Sequence, residues 1–342
     1  MPNRAATTPS EVTSTESTSS RRPSKRGGFV GWASRFGTIA SLLLFVIVFS
    51  VLKPDIFPTS LNFFNILNQV SILGIIALGL TLPLVQGLFD LSIGAMATLG
   101  GFIATLWLSD GTISNTILAI GLVIVVSLIV GVVSGSIVSY GGISAFITTL
   151  AIGSVLNGAV LGISKSQTVL SGIPNSFLIL GQGTIGPVPA PVLVMAVLAL
   201  LLWVFLTFTQ IGRNMYAIGG NAEAARLSGI AVKRYPLIAL AISAGTASLA
   251  GMAVAANLAV GRPQGVGDTY LLDAFAACFI GAATLRPGRF HIGGTVIGVL
   301  LIGVINNGLS VLGVATFWQY IVRGVLLLIA VLGAGFVLVR KR

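Results

Sequence analysis

Long apolar runs separated by short polar ones constrain the fold of this 342-residue chain more than any other feature. A membrane-spanning helix needs roughly 20 apolar residues, because its backbone finds no water in the hydrocarbon layer. Ten segments approach this description, at about 37–53, 63–85, 91–108, 114–139, 143–163, 190–209, 236–260, 269–284, 291–312 and 317–339. Only 8% of the residues are charged, against about 25% in soluble domains. We therefore predict an all-α, polytopic transmembrane helical bundle of about ten spans.

Basic residues are distributed unequally over the two sides of the predicted membrane layer. With the N-terminus inside, fifteen of the nineteen Lys and Arg residues fall on the inner side, and only Lys53, Lys165 and Arg262 fall outside. Cytoplasmic loops carry such an excess of basic residues. We therefore expect both termini to be cytoplasmic, with residues 210–235 inside and the 164–189 loop outside. The net charge of +11 is explained by membrane orientation, and we expect no nucleic-acid partner.

The N-terminal residues differ in composition from the rest of the chain. Residues 1–28 are rich in Ser, Thr and Pro with scattered charges, a composition that buries too little apolar surface to fold. We predict a disordered basic tail over residues 1–35 and one membrane domain over residues 36–342. No Gly-x-x-x-x-Gly-Lys-Ser/Thr phosphate loop occurs in the sequence, so any nucleotide-driven work requires a partner.

The polar stretch 212–230 has the local signals of a short helix. Asn221 is a good N-cap, Glu223 would lie in the first turn, and Gly229 can end the helix. A helix of about seven residues is marginal in water unless it docks against something. It is either a plain connection or a docking element, and its caps and Leu227 favour docking. The predicted docking residues are Asn221, Glu223, Ala224, Ala225, Arg226, Leu227, Ser228 and Gly229.

Several polar residues inside the apolar segments have both a structural and a functional interpretation. A carboxylate at the centre of a span costs about 2.5–3.5 kcal/mol on insertion scales, so Asp90 either caps a helix that begins at Leu91 or belongs to a gate or pathway. Residues 86–95 either connect two separate spans or form a helix that is broken within the membrane. The amide side chains either form interhelical hydrogen bonds or line a solute route. The pathway candidates are Asp90, Ser92, Phe146, Asn157, Asp273, Asn306, Asn307 and Gln319.

Other features point to packing. The apolar residues 177–180 of the 164–189 loop either pack back onto the bundle or belong to a surface that docks an external delivery protein. The spacing of Ala247 and Gly251 allows close helix crossing. Cys278 is the only cysteine and lies in an apolar segment, so we expect a small packing residue.

A set of motifs resembles the ribose-type permeases of bacterial ABC importers. The motifs are Phe89-Asp90-Leu91-Ser92-Ile93-Gly94, Ala145-Phe146-Ile147-Thr148-Thr149-Leu150, Gly212-Arg213 through Gly229-Ile230, Leu272-Asp273-Ala274, Phe279-Ile280-Gly281, and Gly294-Thr295 through Asn306-Asn307-Gly308-Leu309. The likeness covers about residues 40–335, with the motifs in the family's order. Family members commonly have Gly-Gly-x-Gly where this chain has Leu285-Arg286-Pro287-Gly288-Arg289-Phe290.

The resemblance implies the permease subunit of an ATP-driven importer for a monosaccharide or a similar small polyhydroxylated solute, in the bacterial cytoplasmic (inner) membrane. Residues 221–229, within a coupling loop over 210–235, would form the coupling helix that sits in a groove of a separate ATPase. The implied partners are a second permease subunit, identical or different, an ABC ATPase that binds ATP and Mg²⁺, and a periplasmic or extracellular solute-binding protein. The chain itself is then not an enzyme, and it binds no cofactor or metal.

An ion- or proton-coupled secondary transporter is the alternative. Such carriers usually need several intramembrane carboxylates, or broken helices that hold an ion, and Asp90 and Asp273 alone give little support. A membrane-embedded enzyme has less support still, because the chain has one histidine, one cysteine and no plausible cluster of paired carboxylates.

Overall fold

The computed structural model describes residues 27–339, which fold into thirteen α-helices and one two-stranded hairpin. The elements are α1 (Gly27–Leu52), α2 (Ser60–Val85), α3 (Ile93–Ser109), α4 (Thr116–Gly141), α5 (Ala145–Ser164), α6 (Asn175–Gln182), β1 (Thr184–Ile185), β2 (Val188–Pro189), α7 (Ala190–Phe208), α8 (Gln210–Gly220), α9 (Ala222–Leu227), a 3-10 turn (Val232–Arg234), α10 (Tyr235–Leu258), α11 (Asp268–Ala283), α12 (Ile292–Val311) and α13 (Thr316–Val339). Of the predicted tail, residues 1–26 lie outside the described residues, whereas residues 27–35 form the start of α1.

Six of the described helices are long and apolar enough to cross a membrane: α2, α4, α5, α7, α12, and α10 together with the 3-10 turn before it. Three shorter apolar stretches lie in α1, α3 and α13, at Phe36–Leu52, Ile93–Ser109 and Thr316–Ile329. Each of the ten predicted apolar segments overlaps one of these helices or α11. The predicted all-α class is confirmed, since 77% of the structure is helical.

Helix α10 forms the centre of the bundle and packs against α2, α3 and α4. Most of its buried residues are Ala, Gly or Ser, and small side chains allow the backbones of neighbouring helices to approach closely. A Cβ added to Gly251 would collide with the carbonyl of Ala97 in α3, and Ala247 is fully buried. The predicted close crossing at Ala247 and Gly251 is therefore confirmed.

Two non-helical segments enter the bundle, and the chain contacts itself where they end. Residues 86–92 separate α2 from α3, and residues 259–267 separate α10 from α11. Gly94 and Gly267 touch at this contact, and a Cβ on Gly267 would collide with the Gly94 backbone. The Gly267 amide also donates a 3.2 Å hydrogen bond to the hydroxyl of Thr98. Residues 86–92 are not helical, so the chain is interrupted between α2 and α3. A break within the membrane stays a prediction.

The two ends of the bundle carry different segments. At one end, here named the α8–α9 end, Gln86 Nε2 donates to the Tyr235 carbonyl at 3.2 Å, and the Tyr216 hydroxyl donates to the Phe290 carbonyl at 2.9 Å. At the opposite end, Val169 pairs with Gly261 in an antiparallel bridge. The segments of the α8–α9 end carry Arg213, Arg226, Lys233, Arg234, Arg286 and Arg289, and those of the opposite end carry Lys165 and Arg262.

The long loop at the opposite end packs back onto the bundle, as one of its two interpretations predicts. Phe177 of α6 is fully buried. Asn257 Nδ2 of α10 donates to the Gly181 carbonyl at 3.0 Å, and Gln182 Nε2 donates to the Asn257 carbonyl at 3.0 Å. Cys278 is also fully buried, with its thiol donating to the Ala77 carbonyl at 3.3 Å, so its packing role is confirmed.

Candidate functional site

Helix α9 forms where the sequence predicts it, and its caps explain why. The side-chain oxygen of Asn221 accepts a 2.9 Å hydrogen bond from the Ala224 amide, which satisfies one of the free amides of the first turn. The helix ends before Gly229, whose φ of +84° favours glycine over any other residue. Ala225 faces inward and is buried, whereas Leu227 is 75% exposed. The docking role of α9 stays a prediction, and Leu227 is accessible for such a contact.

Glu223 and Arg226 form an ion pair on the outer face of α9. Arg226 Nε donates to a carboxylate oxygen of Glu223 at 3.0 Å, and a second guanidinium nitrogen bonds the other oxygen. The hydrogen bond from Arg226 lowers the pKa of Glu223, and the same bond raises the pKa of Arg226. Both groups therefore stay charged at neutral pH, although an exposed pair of this kind contributes little to stability.

Helix α8 attaches α9 to the bundle, and the sequence analysis did not resolve it as a separate element. The Asn214 amide forms a short hydrogen bond with the hydroxyl of Tyr235 at the start of α10. The Tyr216 hydroxyl reaches the turn before α12, and a Cβ on Gly219 would collide with the Val85 carbonyl at the end of α2. Through these contacts α8 connects α9 to the ends of α2 and α10.

Asp90 lies at the break between α2 and α3 and is fully buried. Its Oδ1 accepts hydrogen bonds from the Ser92 amide at 3.0 Å and the Ser92 hydroxyl at 2.6 Å. Its Oδ2 accepts a 2.7 Å hydrogen bond from Ser243 in α10. The interpretation of Asp90 as the cap of a helix beginning at Leu91 is wrong, because α3 begins at Ile93 and the carboxylate instead fastens the break to α10.

Asp273 and Asn306 are two pathway candidates that the fold brings together. Asn306 Nδ2 in α12 donates to Asp273 Oδ2 in α11 at 2.9 Å. Arg323 of α13 donates through Nε to Asn306 Oδ1 at 3.2 Å and lies 3.6 Å from Asp273 Oδ2. The second carboxylate oxygen of Asp273 is buried without a hydrogen-bond partner among the described residues. The three side chains therefore connect three helices through one nearly buried ion pair.

The remaining pathway candidates lie on three different helices, α5, α12 and α13. Phe146 and Asn157 are exposed on α5. Asn307 is 5% exposed, and its side-chain oxygen lacks a partner within residues 27–339. Gln319 Nε2 donates to the Val314 carbonyl at 2.9 Å, which is a local contact at the start of α13. In the described part of the chain, no three His, Cys, Asp or Glu side chains come close enough together to hold a metal ion.

A row of aromatic side chains lies beside the break at residues 86–92. The Phe89 ring stacks on Phe275 and Phe279 of α11, with centroid distances of 6.1 Å and 6.2 Å, and Phe279 meets the edge of Phe290 at 5.2 Å. Phe89 remains 41% exposed. It lines a cavity of about 330 Å³ together with Phe146 and the turn between α4 and α5. Only the fold brings these rings together, so no local sequence signal could have revealed the row.

The sequence matches, over residues 62–331, the family described as branched-chain amino acid transport system / permease component. The chain belongs to this permease family. This permease is 36% identical over 304 residues to the ribose import permease protein RbsC of Escherichia coli (strain K12), covering 88% of this chain and 94% of the relative.

Other relatives are as similar. The ribose import permease protein RbsC of Bacillus subtilis (strain 168) is 37% identical over 309 residues, covering 90% of this chain and 95% of the relative. The D-allose transport system permease protein AlsC of Escherichia coli (strain K12) is 35% identical over 299 residues, covering 87% of this chain and 90% of the relative. No solved structure matches the permease. Membership of this family and the six helices that are long and apolar enough to cross a membrane identify the chain as a multi-pass membrane permease.

Proposed function

We propose that this permease forms, with a second permease subunit, the translocation pathway of an ATP-driven importer for a monosaccharide or a similar small polyhydroxylated solute. The relatives that support this solute class carry the names of ribose and D-allose permeases at 35–37% identity over nearly their whole length. A solute-binding protein would deliver the solute on the outer side. ATP and Mg²⁺ would be bound by a separate ATPase.

The α8–α9 end faces the cytoplasm in this proposal. The support is the excess of basic residues in the segments of that end, combined with the tendency of cytoplasmic loops to carry Lys and Arg. The ten long helices would then span or enter the membrane with both termini inside. In this orientation α9 is presented to an ATPase, and the 165–189 loop is presented to a delivery protein.

One observation carries the placement of the pathway: an exposed polar side chain on an otherwise apolar helix. Asn157 of α5 is exposed and makes no side-chain hydrogen bond within the described residues. Moving an unpaired amide from water into an apolar medium costs about 2–7 kcal/mol, so this face is unsuited to lipid. Phe146, Leu150, Ser154 and Asn157 follow at helical spacing and are all exposed. We assign this stripe to the interface between two permease subunits, where it borders an aqueous route.

The cavity next to Phe89 and Phe146 would be the inner end of that route. Its aromatic faces suit the apolar C–H faces of a sugar ring, and Phe89 belongs to the break that Asp90 fastens to α10. ATPase closure would push α9, and α8 would transmit the movement to the end of α2, from which the break begins. Movement of the break would open or close the cavity.

Uptake by the reconstituted importer tests the solute class. The permease is placed in proteoliposomes with its ATPase and solute-binding protein, and labelled ribose, D-allose and leucine are offered separately. We expect uptake of a monosaccharide that requires internal ATP and persists with an ionophore. Uptake of leucine in place of sugars would reject the solute class, and uptake that survives without ATP but fails with the ionophore would reject the ATP-driven mechanism.

Cysteine labelling tests the pathway. Because Cys278 is the only cysteine, Cys278→Ala gives a background free of thiols. Asn157→Cys in that background is expected to react with a water-soluble maleimide and to cross-link to a second permease subunit carrying the same substitution. Leu201→Cys on the exposed apolar face of α7 is the matched control and should do neither. Equal behaviour of the two cysteines would contradict the assignment of the α5 stripe.

A further inference from the structure

A second cavity, of about 410 Å³, lies at the α8–α9 end and is separate from the proposed pathway. It is formed between the end of α7, the start of α8 and the turn that joins α11 to α12. Its polar and aromatic lining consists of Trp203, Thr207, Arg213, Tyr216, Arg286, Arg289 and His291. The mechanism proposed above uses none of these side chains to bind the solute.

The cavity is strongly cationic and contains no counter-charge. Arg213, Arg286 and Arg289 line it, and none of them forms an ion pair with a carboxylate within residues 27–339. His291 is neutral here, since its Nδ1 accepts from the Gly294 amide at 2.9 Å and its Nε2 then donates to the Thr284 carbonyl at 3.0 Å. Three arginines that line one cavity favour an anion with several oxygens, above all a phosphate group.

The arginines are held in place by the fold. Arg213 Nη1 donates to the Phe208 carbonyl at the end of α7 at 3.1 Å. The guanidinium of Arg289 lies over the Tyr216 ring, 4.4 Å from its centroid. Arg286 and Arg289 belong to a turn in which Leu285 has a φ of +58°, a conformation that is strained for leucine and persists only where its surroundings hold it. The surrounding structure therefore holds this turn, and with it Arg286 and Arg289, in a defined conformation.

The cavity continues into an apolar surface on α7. Trp203, on its rim, is 45% exposed, and the neighbouring Leu200, Leu201 and Val204 are 58%, 60% and 41% exposed. These apolar side chains are suited to contact with lipid acyl chains. Tryptophan is enriched at the level of lipid headgroups. An anion whose phosphate sits among arginines and whose tails lie along an apolar helix is a phospholipid. Basic pockets between helices at the cytoplasmic surface bind such headgroups.

We propose that this cavity binds the phosphate-bearing headgroup of an anionic phospholipid, with its acyl chains along α7. The bound lipid links α7, α8 and the α11–α12 turn, and Tyr216 of α8 contacts both Arg289 and the Phe290 carbonyl. The lipid therefore supports the position of the helix that carries α9. This inference does not depend on which solute is transported.

Native mass spectrometry of the intact importer, released from nanodiscs, measures the lipid that stays bound. Three preparations are compared: phosphatidylglycerol nanodiscs, phosphatidylcholine nanodiscs, and phosphatidylglycerol nanodiscs with excess inorganic phosphate. We expect retention of phosphatidylglycerol only, unaffected by inorganic phosphate. Equal retention of both lipids, or displacement of phosphatidylglycerol by inorganic phosphate, would overturn the proposal.

The matched variants are Arg286→Gln/Arg289→Gln in the cavity and Lys233→Gln/Arg234→Gln at the same end but outside it. Each basic side chain near an anionic lipid surface accounts for about a fivefold change in binding, so the cavity variant should retain about 25-fold less phosphatidylglycerol. The control variant should retain as much as the unmodified importer. If the cavity variant keeps its lipid and instead loses the ATPase, the arginines contact that partner and the lipid assignment is wrong.

Arg289→Lys is a milder variant that tests the same cavity if the double variant does not fold. Lysine keeps the charge but loses the bidentate geometry and the stacking on Tyr216. We expect intermediate retention of phosphatidylglycerol for this folded variant, and retention equal to that of the unmodified importer would also count against the proposal.

Discussion

The Ser243 hydroxyl donates a 2.7 Å hydrogen bond to Asp90 Oδ2, although 153 residues separate the two in sequence. This bond joins the break between α2 and α3 to the central helix α10. Phe89 lines the proposed inner end of the pathway and directly precedes Asp90, so the bond lies one residue from that ring. The Asp90 carboxylate, which has the sequence position of a helix cap, therefore connects residues 86–92 to the central helix.

Replacing Ser243 with alanine should weaken the connection between residues 86–92 and α10. The change leaves Oδ2 of a buried carboxylate without a donor, and an unsatisfied buried polar group costs about 1–3 kcal/mol. We expect a lower midpoint in thermal unfolding of the purified importer. Ser127→Ala is the matched control, because Ser127 is also fully buried but bonds only to Val123 of its own helix. Equal loss in the two variants would refute a special role for Ser243.

Asp273 and Arg323 should behave as a coupled pair. Their side chains are 5% and 15% exposed, and removing one partner of a buried pair typically costs about 3–5 kcal/mol, because the other charge stays buried alone. Asp273→Asn and Arg323→Gln should each destabilise the permease, whereas the double variant should lose less than the sum. A double-mutant cycle on chemical unfolding measures this, and additive losses would contradict the coupling.

The sequence sufficed to predict the helices and the α9 caps, because both depend on local patterns. Apolar run length locates every long helix, and Asn221 with Gly229 marks the two ends of α9. Local patterns do not predict contacts between segments that are distant in the sequence. The pairing of Asp90 with Ser243, and the ion pair between Asp273 and Arg323, join residues whose neighbourhood only the packed bundle determines.

Helix α8 illustrates the same limit on a smaller scale. Its residues contain glycines at 212, 219 and 220, which are poor helix formers. Tertiary contacts of Asn214 and Tyr216 stabilise the helix in spite of that composition. An intrinsically weak helix that folds through tertiary contacts gives no clear signal in the sequence alone.

Gly251→Ala should destabilise the crossing of α3 and α10. The added methyl would collide with the Ala97 carbonyl, and overpacking of a tight core costs about 1–3 kcal/mol. Gly121→Ala in α4 is the control, since nothing lies within 4 Å of its added Cβ. Helix propensity should make that variant neutral or more stable, by up to about 1 kcal/mol. Thermal unfolding of both variants compares them, and a harmless Gly251→Ala would disprove the close approach.

The stability of the permease should fall on mild acidification because of His291. Burial, together with the Arg286 and Arg289 charges, lowers the pKa of His291 below its ordinary value of 6.5. The unfolded chain then binds the proton more readily, so the stability held by neutral His291 is present above pH 6.5 and is lost as the pH falls toward the folded pKa. His291→Asn keeps a good N-cap for Gly294 and should flatten this dependence. Unfolding midpoints followed from about pH 7.5 to 5.5 check this, and an unchanged slope in His291→Asn would exclude His291 as its source.

Leu227→Asp should separate docking from folding. Leu227 is 75% exposed on α9, so the substitution removes no internal packing, and the unfolding midpoint should not change. If α9 sits in a groove of the ATPase, a buried carboxylate there should weaken the affinity for the ATPase about tenfold or more, as at other interface hot spots. Solute-stimulated ATP hydrolysis should fall with it. Ile185→Asp, at a 71% exposed position of the opposite end, makes a similar chemical change and should leave ATPase retention intact. ATPase retention during purification distinguishes the two variants, and equal retention would mean that α9 is a connection and the coupling contact lies elsewhere.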